Sequence, residues 1–476
     1  MSDSPVPTHP ADSASSVDSP SPMTPSNVAT RTTRDLARVA VSGWLGTAME
    51  FMDFQLYSLA AAIVFNKVFF PDVSPAIGLI AAMATYGVGY VARLAGAVYF
   101  GRMGDRVGRR KVMLLTITLM GTATTLTGLL PTYHTVGIAA PILLVVLRLA
   151  QGFGAGAEIA GATVMLAEYA PVKRRGLIAS LAALGTNSGT LAASGLWTVL
   201  LAMLSDRQVQ TWGWRIPFLA SFTLLLLSVW MRTRLKESPV FEERADVVNG
   251  VALSRKQIAE ATEITRQAAL QQGLGGRRGK AFLLALGLRL GQAGNSGLVQ
   301  TFLVGYLATT LMVSKSVPTT AIVYGSVLGF ATVPIIGMIG DRFGRRPVYM
   351  TLTLLTMVLA VPMMATIAHG SKAAIIIAMV LGLNIGVLGL FSMESITMAE
   401  LFGARTRFTQ LAVAKEIGSI AATAIGPVLA ATLTAVTGSW WPIAAMLIAY
   451  SLITFVSAYF SPETRGRDLV LLEDAI

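Results

Sequence analysis

The sequence has no cysteine and little charge. The absence of cysteine from its 476 residues excludes disulfides, thiolate metal sites and cysteine nucleophiles. The three histidines, His9, His134 and His369, all lie outside the apolar stretches, so a histidine metal site or proton relay has no candidate there. Charged residues make up 13% of the chain, whereas a soluble globular protein has roughly a quarter, so we expect this chain to reside in lipid.

Hydrophobic residues make up 54% of the chain and are gathered into long apolar stretches. Each stretch has roughly 20 residues or more, which is enough to cross a hydrocarbon core of ~30 Å. Because a backbone in lipid must satisfy its own hydrogen bonds, each stretch is predicted to be a helix. The predicted fold class is an all-α membrane protein with about twelve transmembrane helices. The predicted spans are 37–65, 77–101, 110–130, 137–168, 175–203, 213–233, 281–309, 318–340, 347–368, 371–400, 406–436 and 440–460.

Polar segments divide the spans into two groups of six. The predicted divisions are a disordered N-terminal tail (1–36), an N-terminal six-helix bundle (37–233), a linker loop (234–280), a C-terminal six-helix bundle (281–460) and a C-terminal tail (461–476). The N-terminal tail is rich in Ser and Pro and lacks the apolar residues that a core requires. Within the linker, residues 254–272 have the charged, amphipathic composition of a helix.

Basic residues are distributed unevenly among the connections. Those after even-numbered spans hold clusters such as Arg109–Lys111 and Lys173–Arg175, whereas those after odd-numbered spans hold isolated residues such as Lys67 and Lys372. Lys and Arg are retained on the cytoplasmic side of a membrane, so both termini are predicted to be cytoplasmic, in a protein of the cell inner membrane. The same distribution accounts for the net charge of +12 without a nucleic-acid partner.

Two loop sequences are repeated. GlyArgMetGlyAspArgValGlyArgArgLys occupies 101–111 and GlyMetIleGlyAspArgPheGlyArgArgPro occupies 337–347, so the aspartates are 341 − 105 = 236 residues apart. A Glu…Arg pair is also repeated, at a spacing of 400 − 168 = 232. Repeated halves are typical of secondary transporters, which bind substrate between the halves. The repeated residues assigned to a gating or structural motif are Gly101, Asp105, Arg106, Gly108, Arg109, Glu168 and Arg175, with Gly337, Asp341, Arg342, Gly344, Arg345, Glu400 and Arg407.

The repeated loop has a physical rationale. Its glycines permit a sharp turn between helices, and its aspartate can cap a helix N-terminus and pair with arginine. We therefore expect the motif to stabilise one end state of an alternating-access cycle. The alternative is that it only anchors the topology of the chain.

At these residues the chain resembles the major facilitator superfamily, and other residues resemble its metabolite:proton symporter family. GluPheMetAspPhe (50–54) is similar to that family's Glu-Trp-Tyr-Asp-Phe, and 148–158 is similar to its Arg-x-x-Gln-Gly-x-x-x-Gly-Gly-Glu. The resemblance covers 35–462, and through 69–153 it is strongest with the branch that transports shikimate. It implies two six-helix bundles that carry a small carboxylated metabolite together with a proton. The departures from the family pattern include Lys415–Glu416, which bears on the substrate rather than on the class.

Charged groups inside apolar spans are costly in lipid and are therefore candidate functional residues. Coupling to a proton requires a group that changes charge, and without an intramembrane histidine a buried carboxylate is the remaining candidate. We predict Asp53 as the first choice of proton carrier and Glu158 as the second, with Glu50 as a further candidate. The alternative is that each is a permanently ionised partner of a nearby arginine.

An anionic substrate requires a fixed cation, and arginine can hold a carboxylate through two hydrogen bonds. Arg93 and Arg289 belong to opposite halves and are predicted to clamp the substrate. Arg148 is expected to pair with Glu158 or Asp53 as a structural bridge. The remaining side chains predicted to bind substrate, with interhelical packing as their alternative role, are Tyr57, Tyr86, Tyr90, Gln151 and Gln292.

The function predicted from these features is proton-coupled uptake, by a monomer, of a small organic acid such as shikimate or a di- or tricarboxylate. No metal site or cofactor is expected, because the one dinucleotide-like glycine pattern, at 152–156, lies inside an apolar helix without a preceding strand. The alternatives are a symporter of osmolytes such as proline or betaine and, less favoured, a drug or metabolite exporter. No catalytic constellation supports an enzyme.

Overall fold

The structure, a computed structural model, describes residues 33–72, 75–238, 240–241, 275–314, 316–469 and 474–475. The predicted N-terminal tail up to residue 32 and the helix predicted over 254–272 lie outside the described residues. Within them, all regular secondary structure is helical. The all-α fold class predicted from the sequence is confirmed.

Twelve long helices, numbered α1 to α12 in chain order, form the bundle. Their bounds are Thr33–Ala60 (α1), Pro75–Val107 (α2), Arg109–Thr127 (α3), Ala139–Tyr169 (α4), Arg175–Met203 (α5), Arg215–Thr233 (α6), Gly275–Ser296 (α7), Ser316–Phe343 (α8), Arg345–His369 (α9), Lys372–Leu401 (α10), Arg407–Thr437 (α11) and Trp441–Phe460 (α12). Short helical segments outside these bounds are Ala61–Phe65, Asn66–Val68, Tyr133–Val136, Val172–Arg174, Asp206–Gln208, Val209–Gly213, Gly297–Phe302 and Leu303–Thr309.

Several helices continue beyond the predicted spans. α1 begins at Thr33, inside the predicted tail, and α7 begins at Gly275, inside the predicted linker. α2 runs through most of the repeated loop and ends at Val107, so the turn into α3 is confined to Gly108, whose φ is 112°. Gly344, with a φ of 103°, makes the same turn between α8 and α9. Because side chains rarely tolerate such φ values, glycine is what allows one residue to join two long helices.

Seven helices within the described residues are long and apolar enough to cross a membrane by length and composition alone, namely α4, α6 and α8 to α12. The other five are α1, α2, α3, α5 and α7. Among them, α1, α2 and α7 carry Glu50, Arg93 and Arg289 into the interior of the bundle. Apolar helices carry interior charges as well, since Glu158 lies on α4 and Lys415 lies on α11.

The two halves meet along two helix pairs, in which α2 packs against α11 and α5 packs against α8. A buried hydrophobic cluster extends across the junction and includes Phe100 and Val112 from the first half and Val348 and Leu411 from the second. This junction lies towards one end of the bundle, which is formed by the α2–α3, α4–α5, α8–α9 and α10–α11 connections. We call this end the basic face, after its shared arginines Arg109, Arg175, Arg345 and Arg407.

Turns of π-helix interrupt the helices at repeated positions. One follows α1 at Ala61–Phe65 and another follows α7 at Gly297–Phe302, so their starts are 297 − 61 = 236 residues apart, as in the repeated loops. Two more lie in α10 at Leu383–Gly389 and in α11 at Ile420–Ala424. A fifth lies before α6 at Val209–Gly213, so three of the five in the described residues belong to the second half. Such turns are frequent at functional sites.

Glycines allow α2 and α4 to touch through their backbones. A Cβ atom added at Gly152 would lie 2.2 Å from the carbonyl oxygen of Gly89, and one added at Gly156 would lie 2.0 Å from that of Arg93. Small residues at helix interfaces in membranes permit this close approach. The glycine pattern at 152–156 therefore serves helix packing, as its place in an apolar span indicates.

Gly152→Ala is expected to lower the thermal stability of the purified protein, because the added methyl group meets backbone that cannot swing away. Overpacking of this kind costs on the order of 1–3 kcal/mol. Thermal unfolding in detergent would measure the loss. Gly195→Ala is the matched control, since a Cβ atom at Gly195 has no atom within 4 Å. Equal melting temperatures for the two variants would contradict the packing described for α2 and α4.

Candidate functional site

Ten charged side chains lie in the interior of the described bundle, inward of the basic face. Their side chains are at most 12% exposed, and Arg289 is the most accessible. Five are acidic and five are basic, so with all groups ionised the interior carries no net charge. They are Glu50, Asp53, Glu158, Glu394 and Glu416, with Arg93, Arg148, Arg232, Arg289 and Lys415.

Arg93 on α2 joins the two halves through an ion pair. Its Nε and Nη2 atoms donate to Glu416 on α11, each at 2.7 Å, and its Nη1 atom lies 2.7 Å from Oε1 of Glu50 on α1. The Oε2 atom of Glu50 is buried without a hydrogen-bond partner among the described residues. The arginine predicted to bind substrate is therefore already held by two carboxylates, one of which comes from the opposite half.

Asp53 on α1 is hydrogen-bonded by neutral groups. Thr124 donates to its Oδ1 atom at 2.5 Å, and Gln151 donates to its Oδ2 atom. The Arg148 guanidinium donates to Gln151 and lies over the rings of Phe54 and Tyr57. The expected bridge between Arg148 and Asp53 thus runs through the side-chain amide of Gln151, which was predicted to bind substrate.

Glu158 on α4 is paired with Arg232 on α6. Arg232 donates to both carboxylate oxygens, and Thr116 donates to Oε2 at 2.8 Å. The other pairing expected for Arg148, with Glu158, is therefore replaced by Arg232. Arg232 stands at the end of the predicted span 213–233 and was not among the predicted site residues. In the structure it is fully buried, since its long side chain extends back into the bundle.

The second half has its own charged cluster. Arg289 on α7 lies 3.1 Å from Glu394 on α10, and Lys415 on α11 lies 3.0 Å from the other oxygen of the same carboxylate. Arg289 also donates to Gln292 at 2.7 Å and to Ser419 at 2.7 Å. The adjacent residues Lys415 and Glu416 therefore contact different clusters, as expected of neighbours on a helix.

Two of the three predicted tyrosines have side chains that the structure describes, and both lie where α1 contacts α2. Tyr57 is buried, and its hydroxyl shares a 2.6 Å hydrogen bond with Thr85. Tyr90 packs against Phe54, with their ring centroids 5.4 Å apart. The side chain of Tyr86 lies outside the described part of the structure. The two described tyrosines line the α1–α2 contact beside the charged groups.

At the basic face, the aspartate of each repeated loop caps a helix of the opposite half. Asp105 accepts from the backbone N–H groups of Phe408 and Thr409, at the start of α11, at 3.2 and 2.9 Å. Asp341 accepts from those of Gly176 and Leu177, at the start of α5, at 2.7 and 2.9 Å. The predicted capping thus occurs across the two halves, where it also places each carboxylate at a positive helix end.

The repeated glutamates hold arginines from both halves. Glu168 pairs with Arg109 of its own half and, at 2.7 Å, with Arg407 of the other half. Glu400 pairs in the same way with Arg345 at 3.0 Å and with Arg175 at 3.6 Å. Each glutamate of the repeated Glu…Arg pair therefore binds the arginine of the pair in the other half.

The other motif residues make the loops fit together. A Cβ atom at Gly101 would lie 2.8 Å from the Thr409 Cα atom, and one at Gly337 would lie 2.9 Å from the Gly176 oxygen, so these glycines let the halves touch. Arg106 and Arg342 are exposed at the rim of the basic face, and Arg342 lies over the Phe343 ring.

Two glutamates outside the predicted site residues, Glu237 and Glu463, complete the basic face. Glu237, after α6, caps the start of α3 through the backbone N–H of Arg109 at 2.8 Å, and Glu463, after α12, caps α9 through that of Arg345 at 2.8 Å. Both follow the sixth helix of their half, in GluSerPro and SerProGluThr sequences. Their shared Ser, Pro and Glu composition is the signal that could have revealed them.

The C-terminal segment also ties the halves together. Arg175 of the first half donates to the backbone oxygen of Arg467 at 2.7 Å, and Arg407 donates to that of Leu469 at 2.8 Å. Thr464 donates to Glu400 at 2.9 Å. The residues after α12 therefore pack onto the basic face, which is closed in this structure.

The chain matches known proteins over most of its length. The family model described as "Sugar (and other) transporter" matches residues 46–475. The Putative transporter YdfJ of Escherichia coli (strain K12) is 51% identical over 89% of this chain and 96% of that protein. The Shikimate transporter of the same strain is 34% identical over 90% of this chain and 95% of that protein, and its Proline/betaine transporter is 30% identical over 91% and 85%.

Among solved structures, the MFS (major facilitator superfamily) proton:xylose symporter XylE bound to 6-bromo-6-deoxy-D-glucose superposes with a TM-score of 0.73. The match is 16% identical and covers 92% of this chain and 98% of XylE. This likeness shows the fold, and it confirms the twelve-helix architecture predicted from the sequence.

Removing the two interhalf caps is expected to open the basic face. Each N-cap is worth about 0.5–2 kcal/mol, so Asp105→Ala combined with Asp341→Ala should shift the population towards separated halves. Because the chain has no cysteine, spin labels can be attached at Arg106→Cys and Arg342→Cys alone, and their separation measured by pulsed electron resonance. The distance distribution should gain a longer component.

The exposed Asp206, in the connection between α5 and α6 away from the basic face, provides the control for this experiment. Asp206→Ala should leave the distance distribution unchanged. An identical distribution in the double Asp105, Asp341 variant would show that the caps do not hold the face closed.

Proposed function

Because this chain belongs to the family of sugar and other transporters and has the major facilitator fold, we propose that it takes up a small organic acid together with a proton. It is a multi-pass membrane protein and a transporter rather than an enzyme. The observation that carries the proposal is the balanced charge of the interior, where five acidic and five basic side chains are buried together.

A balanced interior constrains what can bind. An anion that entered alone would add an uncompensated charge to a region of low dielectric constant, which is costly. An anion that enters with a proton adds none, because the proton neutralises one of the five carboxylates. Cotransport of a carboxylate and a proton therefore fits this interior, and no cofactor is needed to drive it.

The hydrogen bonds rank the three proposed proton carriers. Asp53 has neutral partners, Thr124 and Gln151, which can donate to the carboxylate or accept from the protonated acid after a small rotation. Protonating Glu158 would break the direct ion pair that holds Arg232, at a cost of about 3–5 kcal/mol, whereas Arg148 keeps its hydrogen bond to Gln151 when Asp53 is protonated. Asp53 remains our first choice of carrier, and the ion pair of Glu158 favours a structural role.

Glu50 is the second proposed carrier. One of its oxygens is already without a hydrogen-bond partner among the described residues, and Arg93 would keep Glu416 if Glu50 were neutralised. This contact set gives Glu50 a lower cost of protonation than Glu158. The ranking of Glu50 above Glu158 reverses the order expected from the sequence.

Arg93 and Arg289 are proposed to bind the substrate from opposite halves of the protein. Arg93 holds Glu416 across the interface, so this ion pair must separate or rearrange whenever the two halves move apart.

We place the basic face on the cytoplasmic side, as the arginine distribution predicts. Closure of that face by the Asp105 and Asp341 caps then corresponds to the state from which substrate exchanges with the outside.

A second candidate is uptake of a zwitterionic osmolyte. A zwitterion carries no net charge, so it also fits a balanced interior, and the Proline/betaine transporter is among the relatives of this chain. An osmolyte would not need a proton for charge balance. The two candidates are therefore separated by the substrate and by the response to a proton gradient.

Uptake of radiolabelled shikimate, benzoate, 2-oxoglutarate, citrate, proline and betaine into cells that overproduce the protein would test the proposal. We expect uptake of an organic acid that is abolished by a protonophore, because the proton supplies the compensating charge. Uptake of proline or betaine alone would favour the second candidate. Uptake of an acid that persists after the gradient is collapsed would contradict symport.

Asp53→Asn is expected to abolish gradient-driven accumulation of that acid, because an amide cannot release a proton. Exchange of labelled for unlabelled substrate across proteoliposome membranes should persist, since exchange needs no net proton movement. The exposed Asp206→Asn serves as the matched control and should retain both activities. Accumulation at the wild-type level in Asp53→Asn would rule out Asp53 as the obligatory carrier.

A further inference from the structure

The charged cluster of the second half carries an excess of one positive charge. Arg289 and Lys415 share the single carboxylate of Glu394, at 3.1 and 3.0 Å. Both cations also lie near the ring of Phe391, with Lys415 Nζ 5.0 Å and Arg289 Cζ 5.8 Å from its centroid. Two cations and one carboxylate leave a net charge of +1 at this position.

Lys415 has hydrogen-bonding capacity that the described residues do not use. Its ammonium group can donate three hydrogen bonds, and only its ion pair with Glu394 is present. The Nζ atom has no hydrogen-bond partner of good geometry among the described residues, and Lys415 is 3% exposed. A buried ammonium group with unused hydrogen-bond donors is costly unless a ligand oxygen accepts hydrogen bonds from it.

Arg289 is the member of the cluster that solvent reaches. Its side chain is 12% exposed, against 4% for Lys415 and 0% for Glu394. It crosses α11 at Gly418, where a Cβ atom would lie 2.5 Å from its Cγ atom. Its other partners, Gln292 and Ser419, are neutral groups that can also hydrogen-bond a ligand.

The opposite imbalance lies one residue away on α11. Glu50 and Glu416 share Arg93, which gives that cluster a net charge of −1. Lys415 and Glu416 therefore join a positive cluster to a negative one. A substrate carboxylate at the first cluster would bring that cluster to neutrality, and the proton that accompanies it keeps the whole interior neutral, with one anionic charge and one proton per cycle.

From this charge distribution we propose that Lys415 and Arg289 form the subsite for the substrate's carboxylate, and that it selects monocarboxylates over di- and tricarboxylates. The carboxylate accepts hydrogen bonds from Lys415 Nζ and from the exposed edge of Arg289, while Glu394 holds both cations in place. A second substrate carboxylate would find no further excess charge to neutralise it. The inference rests on the proposed uptake of an organic acid and specifies its class.

Competition in the wild-type protein gives the first test. Benzoate and shikimate, as monocarboxylates, should inhibit uptake of the labelled acid at lower concentrations than 2-oxoglutarate or citrate. Stronger inhibition by 2-oxoglutarate or citrate would overturn the selectivity. If the wild-type protein takes up no organic acid at all, the proposed function itself fails, which is a different outcome.

Charge rescue gives the second test. Lys415→Gln lowers the excess charge of the cluster from one to zero, and it should raise the KM for the monocarboxylate roughly 10- to 100-fold, the usual value of a charge-assisted hydrogen bond. Adding Glu394→Gln restores the excess charge through Arg289 alone and should recover at least part of the affinity. A structural role for Lys415 predicts no such recovery, because the double variant loses both partners of the ion pair.

Lys372→Gln is the matched control, since Lys372 is exposed at the start of α10. It should transport like the wild type. An unchanged KM in Lys415→Gln, or a further loss in the double variant, would overturn the subsite. If Lys415→Gln fails to reach the membrane, Lys415→Arg replaces it. Lys415→Arg should keep the preference for monocarboxylates, and loss of that preference in a folded variant would contradict the proposal.

Discussion

The interior of this protein depends on one constraint, which is that a charge buried away from water must be matched by an opposite charge. Every one of the ten interior charges is held in a group of two or three, and two such groups share a carboxylate or a guanidinium among three members. Each of these charges would be costly on an isolated helix in lipid. The charges stabilise one another in pairs and triads, so the arrangement of the helices and the pairing of the charges depend on each other.

The same constraint operates at the basic face, where it obeys the internal repeat. Asp105 and Asp341 cap helices of the opposite half, and Glu168 and Glu400 each bind arginines from both halves. Because each contact has a counterpart, the face can open by separating two similar sets of bonds. The side chains that lose partners there become accessible to water. Hydration lowers the free-energy cost of separating the halves, which suits a protein that must alternate between states.

The interior obeys the repeat only in part: Glu158 and Glu394 are 394 − 158 = 236 residues apart, but most of the other interior charges have no counterpart. Arg93 corresponds to Gly329 at the 236-residue spacing, and Lys415 and Glu416 correspond to Ala183 and Leu184 at the 232-residue spacing. Repetition therefore supplies the architecture and the closing face, while unrepeated charges supply the chemistry. The neighbouring residues Lys415 and Glu416 connect the two charged clusters across the interface, so movement of α11 relative to α2 must change both.

Much of this molecule could be predicted from sequence, because hydropathy and helical periodicity are local properties. The twelve helices, the turn at Gly108 and Gly344, and the set of charged residues in apolar spans all follow from residues near one another in the chain. The pairing could not be predicted in this way. Periodicity tells which side chains share a face of a helix, but not which helix that face meets. Arg232 and Glu416 were not among the predicted site residues, and Arg93 was predicted to bind the substrate. The packing of helices within the first half brought Arg232 to Glu158, and the packing of the two halves brought Glu416 to Arg93, since those contacts depend on helix rotations that are set by the whole fold.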